Sequence, residues 1–207
     1  MTAILKVDTI QDTSGNNIIN ESSDTITIGA SGDTTNIVGT LQNNGSALNF
    51  ATVNGITMAY QWRLTSNYTG NGDPIASNWE QVDTYSPGGI GSVMSESSGI
   101  FTFPETGIYL IEFNVSTQNG GASEYITSQI QVTTDNSSYD TATTVYGNAY
   151  ATSTFSNVNS QFIFDVTNTS THKCRFKNVK QNANNITTRG DSSTNRTYVT
   201  FIRLGDT

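Results

Sequence analysis

The chain has 207 residues, 13% charged and 34% hydrophobic, with 18 glycines, a single cysteine and a formal net charge of −8. The acidic balance disfavours binding to a nucleic-acid backbone, one cysteine excludes an internal disulfide framework, and no apolar run approaches the length of a membrane span. Aromatics at 10%, with abundant Thr, Ile and Val, separate the chain from disordered sequences of similar polarity and favour strands; no long amphipathic helical period is found. The opening MTAILKVDTIQD lacks the charged-then-apolar pattern of a secretory signal, so assembly inside a cell is expected.

Residues 1–20 read as a hairpin, with the turn Asp12-Thr13-Ser14-Gly15-Asn16 between β-rich flanks. Its apolar side chains, Leu5, Val7, Ile10, Ile18 and Ile19, are too few to hold a hairpin alone, so it is expected to dock on a larger assembly or on its own copies. Residues 21–57 hold very short strands at 24–28, 35–38 and 40–41, with turns at Ser31-Gly32-Asp33 and Asn43-Asn44-Gly45. One or two apolar residues per strand cannot offset an ordering cost of roughly 1–2 kcal/mol per residue in a lone chain. Three chains wound about one axis would set each inward Ile or Leu against two copies of itself. A short trimeric β-shaft is therefore favoured over a flexible linker, with a domain boundary near residue 57.

From residue 58 the strands lengthen and aromatics appear. Strands are expected at 60–64 and 79–85, and then in the stretch 99–115, GIFTFPETGIYLIEFNV. There Pro104 removes a ladder donor and Gly107 permits a reversal. In the strand that follows, Tyr109, Ile111, Phe113 and Val115 share one face, while Ile108 and Leu110 lead the other before it turns polar at Glu112 and Asn114. A strand apolar on both faces needs cover on both, here from a second sheet and from neighbouring subunits. Further strands are expected at 125–133, at 143–155 as one long polar-aromatic stretch, at 161–166 with Phe162, Phe164 and Val166 inward, at 174–179 and at 196–204. In the last, Tyr198, Ile202 and Leu204 oppose Val199 and Phe201. Eight to ten strands at this spacing indicate an all-β sandwich or jelly roll.

Residues 99–115 resemble the central motif of the jelly-roll family shared by complement component one-q heads and tumour necrosis factors, through Phe101, Phe103, Pro104, Gly107, Tyr109 and Phe113. The run 162–166 and the closing strand 197–204 are similar to the family's last strands, and the likeness covers residues 60–204. It implies a jelly-roll head domain over 58–207 and a compact homotrimer. On that basis Phe101, Phe103, Ile108, Tyr109, Leu110, Ile111, Phe113, Tyr198, Phe201 and Ile202 are expected in the trimer core or at its axis. Within that set Tyr109, Ile111 and Phe113 are expected to fill the sandwich with Ile108 and Leu110 nearer the axis, the exchange of the two faces being the alternative. The family's collagen-like stalk is missing. Instead residues 3–45, with LKVDTIQD, TITIG and GTL, resemble the N-terminal parts of tail-fibre and virion-appendage proteins of bacteriophages, especially marine ones. That resemblance implies a virion protein assembled in the host cytoplasm, attached through its N-terminus to another virion protein.

Chemistry is thinly marked. His172 and Cys174 share a strand face, but no orienting third group or oxyanion site accompanies them, and a buried free cysteine is the better reading. Residues 135–140 offer oxygen ligands without the full pattern of a calcium loop. No catalytic, cofactor or metal site is expected. Seven of the nine basic residues follow position 172, among them Lys173, Arg175, Lys177, Lys180 and Arg189. These are read as receptor-facing charges or, with more weight, as charges that pair with a neighbouring subunit. Loops 67–77, 118–123 and 182–195 carry the Asn, Ser and Tyr content suited to host contact. The expected function is a trimeric tail-fibre or appendage protein whose head contacts a host surface glycan or protein. Alternatives are a capsid head fibre or decoration protein and, more distantly, an enzyme acting on surface polysaccharide.

Overall fold

Strands arise wherever apolar and polar side chains alternate at a two-residue period. The computed structural model describes residues 55–207, together with the antiparallel pairing of β1 (Gln42–Asn43) and β2 (Ser46–Ala47), which brackets positions 44–45. The chain divides into two compact units, Met1–Phe50 and Ala51–Thr207. The expected hairpin at 1–20, with Leu5, Val7, Ile10, Ile18 and Ile19, and the rest of the expected shaft lie outside the described residues.

In chain order the second unit contains β3 (Met58–Leu64), β4 (Tyr68–Thr69), β5 (Trp79–Gln81), β6 (Ser95–Ser97), β7 (Ile100–Thr102), β8 (Gly107–Asn119) and β9 (Ser123–Thr133). These are followed by β10 (Asp140–Ala149), β11 (Thr154–Val166), β12 (Lys173–Lys177), β13 (Ile186–Thr188) and β14 (Tyr198–Gly205). One antiparallel sheet runs β5-β3-β14-β8-β11, with β13 and β4 continuing it beside the far end of β8. The other runs β10-β9-β12-β7-β6. From β7 to β12 the chain passes from sheet to sheet at every connection except that between β9 and β10. This is the all-β jelly roll expected for the C-terminal part.

Between the sheets lies an aromatic core. Phe176 sits 4.9 Å from Phe113 and 5.3 Å from Phe101, and Phe103 sits 4.7 Å from Tyr109 and 5.7 Å from Phe164, ring centre to ring centre. Burying each such side chain contributes about 1.5–3 kcal/mol, and tilted or edge-to-face pairs add about 0.5–1.5 kcal/mol. The turn before β8 is held from below. The Arg203 Nε donates to Thr106 O at 2.9 Å and Nη1 donates to Thr57 Oγ1 at 3.1 Å. Gly107 has φ +147°, and a Cβ there would lie 2.5 Å from Arg203 Nε and 2.6 Å from Gly205 O, so only glycine fits.

Several boundaries differ from the sequence reading. β8 continues past Val115 to Asn119 because the inward Thr117 and Asn119 are satisfied inside the sandwich. Thr117 donates to Asn119 Oδ1, and Asn119 Nδ2 donates to Thr154 and Ser156 at 2.9 and 3.0 Å. The long strand expected at 143–155 is two strands, because residues 150–153 reverse between β10 and β11. There Ser153 takes φ 59° and Thr154 Oγ1 donates to Ala151 O at 2.7 Å. The loops at 67–77 and 182–195 each contain a short strand, β4 and β13, paired to one another, and β13 also pairs with β8.

Candidate functional site

Strand β8 has two faces with different fates. Tyr109, Ile111, Phe113 and Val115 are fully enclosed between the sheets. Across the outer face the register sets Ile163, Leu110, Ile202 and Ala59 side by side on β11, β8, β14 and β3, an apolar row four strands wide. The adjacent row, Gln161, Glu112, Thr200 and Gln61, is polar, and Gln61 Nε2 donates to Thr200 Oγ1 at 3.0 Å. Ile163 is 60% exposed, Leu204 lies exposed at the end of β14, and Leu110 and Ile202 are half-buried. Beside this face run two long edge strands, β11 and β10, one from each sheet. Neither has a strand pairing on its outer edge among the described residues.

The ten residues assigned to a trimer core or axis divide accordingly. Phe101, Phe103, Tyr109, Ile111, Phe113 and Phe201 are buried between the two sheets of a single chain. Ile108, Leu110, Tyr198 and Ile202 point out from the first sheet and are half-buried.

The basic residues do not make one exposed patch. Lys173 is buried and donates to Thr169 O at 2.6 Å; Arg175 lies 4.1 Å over the Tyr139 ring and donates to Gln131 Oε1; Lys177 pairs with Asp73 at 2.7 Å. Lys180 is buried, donates to Thr188 Oγ1 at 2.7 Å and stands 4.7 Å over the Tyr68 ring, and desolvation lowers its ammonium to about 8. Arg189 stacks 4.8 Å over Phe155. A cation half or wholly out of water needs partners within reach, and Lys173, Arg175, Lys177 and Lys180 find theirs in their own chain, whereas the buried Arg189 Nε has no hydrogen-bond partner among the described residues.

His172 stacks on Phe164, and its ring nitrogens face the Thr167 and Thr171 hydroxyls at 3.3 and 3.0 Å. Cys174 is wholly buried in the aromatic core, which pushes its thiol well above the usual range and away from the reactive thiolate. Asp135 spends its carboxylate on the backbone amides of Ser137 and Ser138 and on the Thr133 hydroxyl, and these bonds hold it below the usual carboxylate range. Among the described residues no three His, Cys, Asp or Glu side chains come together as a cation site.

The three loops singled out for host contact meet at one end of the sandwich. Gly70 N donates to Ala183 O, Gly120 N to Asn185 O, and Gly190 N to Asn67 Oδ1, at 3.0, 2.7 and 2.9 Å. Exposed Tyr150 and Phe155 stand beside them, since Ser153 N donates to Asn119 O. Farther along, between residues 82–87 and 193–195, opens a cavity of about 290 Å³ lined by Arg63, Gln61, Tyr85 and Asn195 among others. Arg63 lies fully buried at its base. Its guanidinium donates to Glu80 Oε1 at 2.7 Å, Asp83 Oδ1 at 2.7 Å and Thr84 Oγ1 at 2.8 Å, and also to Ser192 O. The sequence reading missed this cluster. One signal was available: Arg63 is the sole Lys or Arg between Lys6 and Lys173, set in an otherwise acidic stretch.

No protein-family profile matches the chain, and no curated protein matches it in sequence. Solved structures do. Eiger TNF from S. frugiperda aligns with TM-score 0.54 at 10% identity over 74% of this chain and 96% of its own. Murine APRIL aligns at TM-score 0.51 and 14% identity at pH 5.0, and at 0.50 and 13% at pH 8.5, each over 71% of this chain and 98% of its own. At such identity the likeness is one of fold, and the fold is that of the tumour necrosis factor jelly roll read from residues 60–204.

Proposed function

We propose that the chain is a bacteriophage virion structural protein, a tail-fibre or appendage subunit that forms a homotrimer and presents its jelly-roll head to the host cell surface. Self-association is carried by the apolar row Ile163, Leu110, Ile202 and Ala59 on the open face of the first sheet. The long edges of β10 and β11 beside it would be open templates for strand pairing if left uncovered. An edge of one copy packed on the face of the next is a heterologous contact, and such contacts close into a ring when the rotation allows. The resemblance of residues 60–204 to a family of trimeric jelly rolls supports a number of three. The virion assignment rests on the resemblance of residues 3–45 to phage appendage proteins, with Leu5, Val7, Ile10, Ile18 and Ile19 as the attachment side chains. An adhesive rather than catalytic role is supported by the burial of Cys174 and the engagement of both His172 nitrogens.

Mass measurement of the purified protein in solution tests the assembly: three times 22.3 kDa is expected, and a stable monomer overturns it. Immunolabelled images of intact particles test the location. Label at the tail is expected, and label over the capsid would replace the tail assignment with a head fibre. Release of reducing ends from host polysaccharide would replace adhesion with catalysis.

A further inference from the structure

The cavity over Arg63 has the ingredients of a small-ligand site. At about 290 Å³ it lies at the lower edge of the roughly 300–1,000 Å³ typical of such sites, room for one ring rather than an extended chain. One wall is Tyr85, 86% exposed, with Pro87 beside it. Tyr85 and Ser86 both take left-handed backbone angles, φ 61° and 54°, which non-glycine residues rarely adopt. Loops hold such angles where the surroundings over-determine them, and functional sites are enriched in them. The surroundings are on hand. Arg63 ties Asp83 and Thr84 to Ser192 O, and Thr84 Oγ1 donates to Ser193 O at 2.9 Å, so both walls are pinned to one another from beneath. A site built on so fixed a frame loses little freedom on binding.

The opposite wall is polar and has capacity to spare. Asn195 uses its Nδ2 on Gln61 Oε1 at 3.1 Å, which leaves its own carbonyl oxygen and one Gln61 amide hydrogen. Among the described residues no hydrogen bond engages the Ser193 or Thr194 hydroxyls. The charge at the base is already answered: two carboxylates, Glu80 and Asp83, meet the one guanidinium. Nothing there attracts an anion.

We infer that this cavity binds a single neutral sugar ring, stacked on Tyr85 and hydrogen-bonded through its hydroxyls to Asn195, Gln61 and Thr194. The inference deepens the adhesive role proposed above, and its meaning for the host rests on that reading; the binding itself does not. Saturation-transfer NMR on the intact protein, with the methyl glycosides of glucose, galactose and mannose and with sialic acid as the anionic comparison, tests it. At least one neutral glycoside is expected to take up saturation while sialic acid does not. Tyr85→Ala is expected to weaken that binding about tenfold or more and Tyr85→Phe to keep it, both with unchanged melting temperature because the side chain is exposed. No transfer to any neutral glycoside, a preference for sialic acid, or binding indifferent to Tyr85→Ala would each overturn the site. If the sugar binds while the protein fails to adsorb to host cells, the host-adhesion reading falls and the site stands.

Discussion

The two faces of the sheet that carries β8 make the most instructive pair of regions in this molecule. Both are apolar at their centre, and both come from the same strands at alternate positions. The inner face, with Tyr109, Ile111, Phe113, Val199 and Phe201, is completed by the second sheet of its own chain. On the outer face Leu110 and Ile202 stay half-buried and Ile163 exposed. The inner face accounts for the fold of one chain; the outer face is the part that a lone chain leaves unfinished. Five substitutions and a pH series test that division.

The largest effect is expected inside. Phe113→Ala removes a ring packed against Phe176 and Trp79 and is expected to cost about 3–5 kcal/mol, read as a lowered urea midpoint. A loss under about 1 kcal/mol would mean that the sandwich is not the source of stability. Next comes Lys180. Its ammonium is depressed to about 8 when folded and titrates near 10.5 when unfolded, so between those values the unfolded chain holds a proton that the folded one has lost. Stability should therefore rise with pH from about 8 to about 10, by roughly 2–3 kcal/mol at most. Above 10 the trend should reverse, because burial raises Tyr68 and Tyr109 to about 12 and favours their protonated forms in the folded chain. Lys180→Met should flatten the rise.

Gly107→Ala is expected to cost about 1–3 kcal/mol, from the strained φ and the Cβ contact with Gly205 O, read by thermal unfolding. On the outer face, Leu110→Asp should leave the stability of a single chain within about 1 kcal/mol while dissociating the proposed trimer, seen as a mass of 22.3 kDa in place of three times that value. If Leu110→Asp unfolded the chain instead, the two faces would not be separable. The smallest effect is expected at Lys177→Met, which breaks a partly exposed pair with Asp73 and should change stability by less than about 1 kcal/mol.

Much of the inner face is legible in the sequence. The alternation in residues 108–115 separates Tyr109, Ile111 and Phe113 from Ile108 and Leu110, and the closing strand separates Val199 and Phe201 from Tyr198 and Ile202. Period-two patterning is local, so it survives in the linear order. The fate of Phe101 and Phe103 is not legible, because an aromatic strand reads the same whether a second sheet or a second copy covers it. The split of residues 143–155 is hidden too, since Tyr150-Ala151-Thr152-Ser153 contains none of the Gly or Pro that marks a reversal.

The charged residues show the limit most clearly. A run of bases after position 172 looks like one surface in sequence, yet the fold sends Lys180 to Thr188 and Tyr68, Lys177 to Asp73 and Arg189 to Phe155, three unrelated environments. Arg63 finds carboxylates 17 and 20 residues away and a carbonyl 129 residues away. From sequence alone came the class, the strand faces and the turn at Pro104–Gly107, because each depends on backbone geometry and side-chain alternation within a few residues. Tertiary structure alone decided which face is finished, where each buried charge finds its partner and that a cavity opens over Arg63. Those follow from groups far apart in the chain meeting where water is excluded.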